Sequence, residues 1–157
     1  MKNSPIVWMN GEMIRADAVR ISPFDLGLAL GLGVFETIVA YDAQIFSWNR
    51  HFQRLKESAE KLSLTVPDRD VVREAIFQVL EANDLSTGRT RVRFSVSGGE
   101  NPFTGGSEPG NVIVAAMPQQ EPAAFAKVVV SPYRCNESSA MAGIKSSSYG
   151  PNLMAYR

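Results

Sequence analysis

At 157 residues, 45% hydrophobic and 20% charged, the chain has the size and composition of one ordinary domain with a real core. Sixteen basic residues balance sixteen acidic ones, so no net field recruits nucleic acid or an anionic membrane surface, and any bound anion must be met by local charges. The lone cysteine, Cys135, has no partner for an intramolecular disulfide, no Cys/His cluster has zinc-site spacing, and neither a signal-peptide core nor a bilayer-length apolar stretch is present; a reducing, cytoplasmic setting is expected.

In chain order, Ile6 to Met9 and Glu12 to Ile14 flank Asn10-Gly11, a dipeptide that tolerates the positive φ angles of a two-residue turn, and predict an opening β-hairpin. A glycine-punctuated apolar stretch, 26–33, leads into Val34 to Tyr41, rich in β-branched and aromatic residues; Asp42-Ala43 then turns the chain into a short strand over 44–46. Phe52, Leu55, Ala59 and Leu62 recur at three- and four-residue steps, which predicts an amphipathic helix over 49–62. Pro67-Asp68 can start a second helix, with Val71, Val72, Ala75, Ile76, Val79 and Leu80 on one face and an end near Asn83.

Arg89 to Val96 alternates strictly: Arg89, Arg91 and Arg93 share one face, Thr90, Val92, Phe94 and Val96 the other. A loop holding Gly98, Gly99, Gly105, Gly106 and Gly110 follows, then two apolar runs, 112–117 and 127–130, both of which read as strands. Residues 131–148 are rich in Ser and Ala without sustained periodicity, as a crossing between domains would be, and Gly150-Pro151-Asn152 can begin a helix continued by Leu153 to Tyr156. The expected class is α+β: a mainly antiparallel sheet of about six strands with two packed helices, followed by an interdomain linker and the start of a second domain.

Three features could carry chemistry. Arg54 adjoins core Leu55 on the first helix, and on pattern alone it is either a surface arginine or an anion ligand. The three arginines at spacing two repel one another, so an anionic ligand, carboxylate partners or solvent must compensate them; guanidinium suits bidentate capture of a carboxylate. Lys145 sits among small residues, Gly143, Ser146 and Ser147, just before a helix, where a solvated loop lysine is the plain alternative to a reactive amine.

The Asn10-Gly11 hairpin, Ile21-Ser22-Pro23-Phe24-Asp25, Gly31-Leu32-Gly33-Val34-Phe35-Glu36-Thr37, His51-x-x-Arg54-Leu55, the strand ending Ser97-Gly98-Gly99, and Gly143-Ile144-Lys145 come in an order and spacing that resemble the class IV aminotransferases. That fold type IV group includes branched-chain and D-amino-acid aminotransferases and 4-amino-4-deoxychorismate lyase. The resemblance covers essentially the whole chain. It implies pyridoxal 5'-phosphate as cofactor, with Lys145 as the Schiff-base lysine that also shuttles a proton, and Arg54 as the arginine on the cofactor phosphate. It implies Arg93 as the ligand of the substrate carboxylate with Arg91 as second candidate, Phe35 and Thr37 along the substrate side, and Tyr149 near the cofactor's phenolic oxygen. His51 is expected to orient or pack its helix.

The chain departs from the family pattern in carrying Leu26 where Arg is frequent and Leu32 where Asp is. Its Arg91-Val92-Arg93 is neither the Tyr-x-Arg of branched-chain enzymes nor the Arg-x-His of D-amino-acid enzymes, so the motif assigns no substrate. The family's second domain supplies a glutamate facing the pyridine nitrogen and a phosphate-binding turn, neither of which fits before Arg157; an incomplete enzyme, by itself a poor catalyst, is expected.

The expected division is an N-terminal domain over 1–130, a linker carrying the lysine over 131–148, and the start of a second domain over 149–157. The implied reaction moves an amino group between an amino acid and a 2-oxo acid in a homodimer, with no nucleic-acid or membrane partner. Elimination of pyruvate from aminodeoxychorismate to give 4-aminobenzoate is the alternative chemistry. A non-catalytic half domain that binds a ligand or partner is the alternative of another class.

Overall fold

The computed structural model describes residues 4–100, 110–134 and 136–156; Cys135 and the loop glycines Gly105 and Gly106 lie outside them. Asn10 and Gly11 take φ angles of 52° and 101°, and the turn they make joins β1 (Ile6–Met9) to β2 (Glu12–Arg15), with Trp8 opposite Met13. A single 3-10 turn (Ala16–Ala18) and a one-turn helix α1 (Leu26–Ala29) carry the chain to β3 (Gly33–Tyr41). Asp42 and Ala43, at φ 47° and 60°, reverse it into the two-residue β4 (Gln44–Ile45).

Helices α2 (Trp48–Lys61) and α3 (Arg69–Ala82) follow, then β5 (Arg89–Ser97), β6 (Val112–Pro118) and a terminal helix α4 (Gly150–Tyr156). The Asp68 side chain caps α3 by accepting from the Asp70 N–H at 2.8 Å, as the sequence anticipates. The strands form one antiparallel sheet in the order β2-β1-β6-β5-β3-β4.

Strand alternation gives that sheet two different faces. Val34, Ile38, Ala40, Val92, Phe94, Val96, Val112 and Val114 point to one side, where Leu55 and Ala59 of α2 and Val72, Ala75, Ile76, Val79 and Leu80 of α3 close the core. The other side carries Thr37, Arg91 and Arg93, all exposed.

Two expectations are corrected. Val71, counted on the core face of α3, is 50% exposed. The buried stripe runs through 72, 75, 76, 79 and 80, and position 71, four residues before Ala75, falls about 40° beyond its edge. Residues 127–130 form no strand, and Val128, Val129 and Val130 are 86, 92 and 97% exposed. Their β-branched composition favours extension, but both edges of β6 are taken by β1 and β5, and none of the described strands pairs with 127–130.

Full burial of an aliphatic side chain is worth about 1.5–3 kcal/mol, and truncation adds the cost of the cavity left behind. Ile76→Ala, at a site with no exposure, is expected to cost about 2–5 kcal/mol in urea unfolding, against less than about 0.5 kcal/mol for Val71→Ala on the exposed side of the same helix. Equal losses would contradict the packing described.

Candidate active site

The candidate residues converge on the edge of β3. One edge of that strand is paired with β5 along its whole length, while β4 covers the other only at Ala40 and Tyr41. The uncovered first half receives the lysine segment: the Phe35 N–H donates to the Lys145 carbonyl at 3.2 Å, and the Ser147 N–H donates to the Gly33 carbonyl at 2.8 Å. A Cβ on Gly33 would lie 2.8 Å from the Val96 carbonyl oxygen and 3.0 Å from Ser147 Oγ, so the close approach requires glycine. From the helix side, buried Ser58 of α2 accepts the Lys145 N–H at 3.3 Å.

Held at that boundary, the Lys145 amine lies 4.3 Å from the centroid of the Phe35 ring and 5.5 Å from that of Tyr149, and the two rings meet edge to face at 5.3 Å. Arg93, opposite Thr37 in the ladder, places its guanidinium carbon 3.8 Å from the Phe35 centroid. Phe35 is therefore flanked by two cations. Burial pushes the Lys145 amine below its ordinary pKa; the Glu36 carboxylate opposes the shift, and the Arg54 and Arg93 charges add to it. Partial burial of its guanidinium over the Phe35 ring likewise holds Arg93 below the usual guanidinium range, although the residue as a whole is exposed, and Tyr149 partly offsets the shift.

Behind the lysine stands a group that reading the sequence did not single out. Glu36 shares the inward phase of β3 with Val34, Ile38 and Ala40 and is 1% exposed. Its two oxygens accept Nε and Nη2 of Arg54, each at 2.6 Å, and Oε2 also meets Nδ1 of His51 at 2.8 Å. The Glu36 carboxylate raises the Arg54 pKa above its ordinary value, so that guanidinium is a permanent charge. The available signal was a carboxylate on the apolar phase of an alternating strand, with Arg and His three residues apart on a neighbouring helix.

Arg54, Lys145 and Tyr149 line a common cleft of about 760 Å³, together with Tyr133, Arg134 and Asn152, a volume in the range of small-molecule sites. Arg93 and Phe35 reach it through the aromatic contacts. Thr37 stands one step further along β3 on the exposed face, and Arg91, a step beyond Arg93, turns to Met117 Sδ at 2.8 Å. The structure thus brings five of the seven candidates together and leaves Thr37 and Arg91 on the adjoining sheet surface.

Residues 33–157 match the family model described as amino-transferase class IV. The chain belongs to that family. It is 32% identical over 96 residues to the aminodeoxychorismate lyase of Bacillus subtilis (strain 168), covering 60% of this chain and 32% of that protein. The branched-chain aminotransferase of the thermophilic archaeon Thermoproteus uzoniensis, solved with norvaline, superposes with a TM-score of 0.79 at 25% identity, over 96% of this chain and 54% of the other. The branched-chain amino acid aminotransferase of Escherichia coli gives a TM-score of 0.65 at 27% identity, over 74% and 40%. The chain therefore spans between about a third and about half of the length of these relatives.

A lowered pKa means that Lys145 loses its proton at a lower pH than an ordinary lysine. Competitive acylation across a pH series, read by peptide mass spectrometry, is expected to give Lys145 a lower midpoint in the folded protein than in the urea-unfolded chain. Arg93→Met and Arg54→Gln each remove a charge that disfavours the ammonium, so both should move that midpoint upward. A Lys145 midpoint unchanged on unfolding would refute the environment described here.

Proposed function

We propose that this chain is part of a pyridoxal-phosphate-dependent aminotransferase that moves an amino group between an amino acid and a 2-oxo acid. The observation that carries the reading is the amine of Lys145, drawn out of water against Phe35 and Tyr149 and facing the same cleft as the guanidinium of Arg54. These residues fit the cofactor's two polar ends, an aldehyde that needs an unprotonated amine and a phosphate that needs a fixed cation. When bound, pyridoxal phosphate supplies a carbonyl that condenses reversibly with amines and a ring that accepts electron density from a substrate Cα.

Everything else is work for this chain's side chains. Lys145, with its pKa lowered, is suited to hold a carbonyl carbon through Nζ and, once released, to take a proton at that nitrogen and return it. Arg54, engaged by Glu36 through Nε and Nη2, offers Nη1 to the phosphate. Arg93 is the proposed ligand of the substrate carboxylate, since a guanidinium over an aromatic face presents its N–H edge sideways to an anion. Phe35 walls the substrate side and keeps water from the amine, and Tyr149 offers its hydroxyl to the cofactor's ring oxygen. Arg91 and Thr37 extend the same surface and are proposed to meet the part of the substrate beyond its carboxylate.

The reading includes a homodimer, supported by Phe24, Leu28 and Leu30, which are 69, 65 and 70% exposed on the approach to β3 and invite cover by a second subunit. It also includes a division into a domain over 1–130, a linker over 131–148 and a second domain from 149, supported by the end of the sheet at Pro118 and the irregular path after it. The proposed setting is the cytoplasm, and among the described residues no helix is long and apolar enough to cross a membrane.

Incubation of the full-length protein with pyridoxal phosphate and reduction with borohydride is expected to leave one adduct, on Lys145. Lys145→Ala should abolish it and lower amino-group transfer by roughly a hundred- to ten-thousandfold. Scattered labelling of several lysines would reject the reading. Release of 4-aminobenzoate and pyruvate from aminodeoxychorismate, with no transfer to a 2-oxo acid, would assign the lyase reaction that the Bacillus subtilis relative is named for.

A further inference from the structure

Arg54 borders two separate spaces. One is the cleft it shares with Lys145; the other is a groove of about 610 Å³ along α2, lined by Phe46, Asn49, Arg50, His51, Gln53 and Glu57. Its side chain is 52% exposed, so packing alone does not choose between them. On the groove side Glu57, three residues on along the helix, is a carboxylate within the reach of a neighbouring helical side chain. An arginine free to pair with Glu57 would leave the lysine's cleft without its fixed cation.

What chooses is Glu36. Its carboxylate takes Nε and Nη2 together at 2.6 Å, the fork geometry that fixes the plane of a guanidinium as well as its position. At 1% exposure the carboxylate itself has nowhere to turn. His51 completes the arrangement. Since a carboxylate only accepts, the 2.8 Å contact at Oε2 puts the ring proton on Nδ1, and this bond sits beside that of Arg54 Nη2, 3.4 Å from the same ring nitrogen. Removing His51 leaves Oε2 with the Arg54 Nη2 donor and one partner fewer, so the carboxylate that anchors the fork is held less firmly.

We infer that Glu36 and His51 are positioning residues for the phosphate-binding arginine: Glu36 orients the Arg54 guanidinium toward the lysine's cleft, and His51 locks Glu36. Neither residue touches the ligand. The inference rests on the proposed role of Arg54 at the cofactor phosphate and deepens it.

The test compares binding of pyridoxal phosphate with binding of pyridoxal, which keeps the aldehyde and lacks the phosphate, by absorbance titration of the full-length protein. The wild type is expected to prefer the phosphorylated aldehyde. Glu36→Gln and His51→Ala should each cut that preference roughly tenfold, the scale of one charge-assisted hydrogen bond, while leaving pyridoxal affinity in place. His51→Asn, whose amide nitrogen stands where Nδ1 does, should restore it. A merely structural role would weaken both aldehydes alike, and that outcome, or a preference untouched by Glu36→Gln and His51→Ala, would overturn the inference. A wild type without any preference would overturn the phosphate reading itself and the inference with it. Should Glu36→Gln fail to fold, the two His51 variants, on a side chain 21% exposed, decide the matter alone.

Discussion

A carboxylate sealed between a sheet and a helix is costly unless its charge is answered where it lies. Glu36 occupies such a place, on the strand phase that otherwise carries Val34, Ile38 and Ala40. The requirement fixes how α2 is rotated over β3. Arg54 and His51, one turn apart, must face the carboxylate, while Leu55 goes fully into the core and Ser58, one turn after Arg54, comes to the sheet edge. The same rotation that neutralises Glu36 delivers the hydroxyl that receives the Lys145 backbone. An ion pair of this kind is weak evidence for stability, but it is strong evidence for register.

From that register follows the distribution of charge. Lys145 and Arg93 flank Phe35, Arg54 borders the same cleft, and Glu36 pairs with it. The residual positive charge is concentrated in a chain whose formal net charge is zero. A site of this kind attracts anionic groups to the neighbourhood of one amine. The aromatic rings separate the cations and keep water from the nitrogen between them.

Much of the fold was legible because periodicity and turn chemistry agreed. Asn10-Gly11, the Asp68 cap and the alternation of 89–96 each point to one local structure, and tertiary packing had nothing to overrule. The run at 127–130 misled because β-branched composition records a preference for extension, not the presence of a partner edge. Val71 misled because a stripe of five buried positions leaves the next apolar residue outside it. The family resemblance brought Lys145, Arg54, Arg93, Phe35 and Tyr149 forward as candidates, and the structure places these five together. Glu36 could not be separated from its neighbours by that route, since the motif 33–37 draws the eye to its outward phase, Phe35 and Thr37. Its partnership with Arg54 crosses from strand to helix, and such pairings are invisible to spacing along the chain.

The docking of residues 145–147 on β3 also bears on how the molecule comes together. Val34 and Ser146 are more than a hundred residues apart, so β1 to β6 are all synthesised before the lysine segment. Until then the first half of β3 offers unpaired backbone groups along a strand rich in apolar side chains, a template for any stray extended chain. The segment that carries Lys145 therefore also shields that edge. A nascent chain stalled before it would be exposed to strand addition and aggregation, which ties completion of the site to the molecule's safe passage from the ribosome.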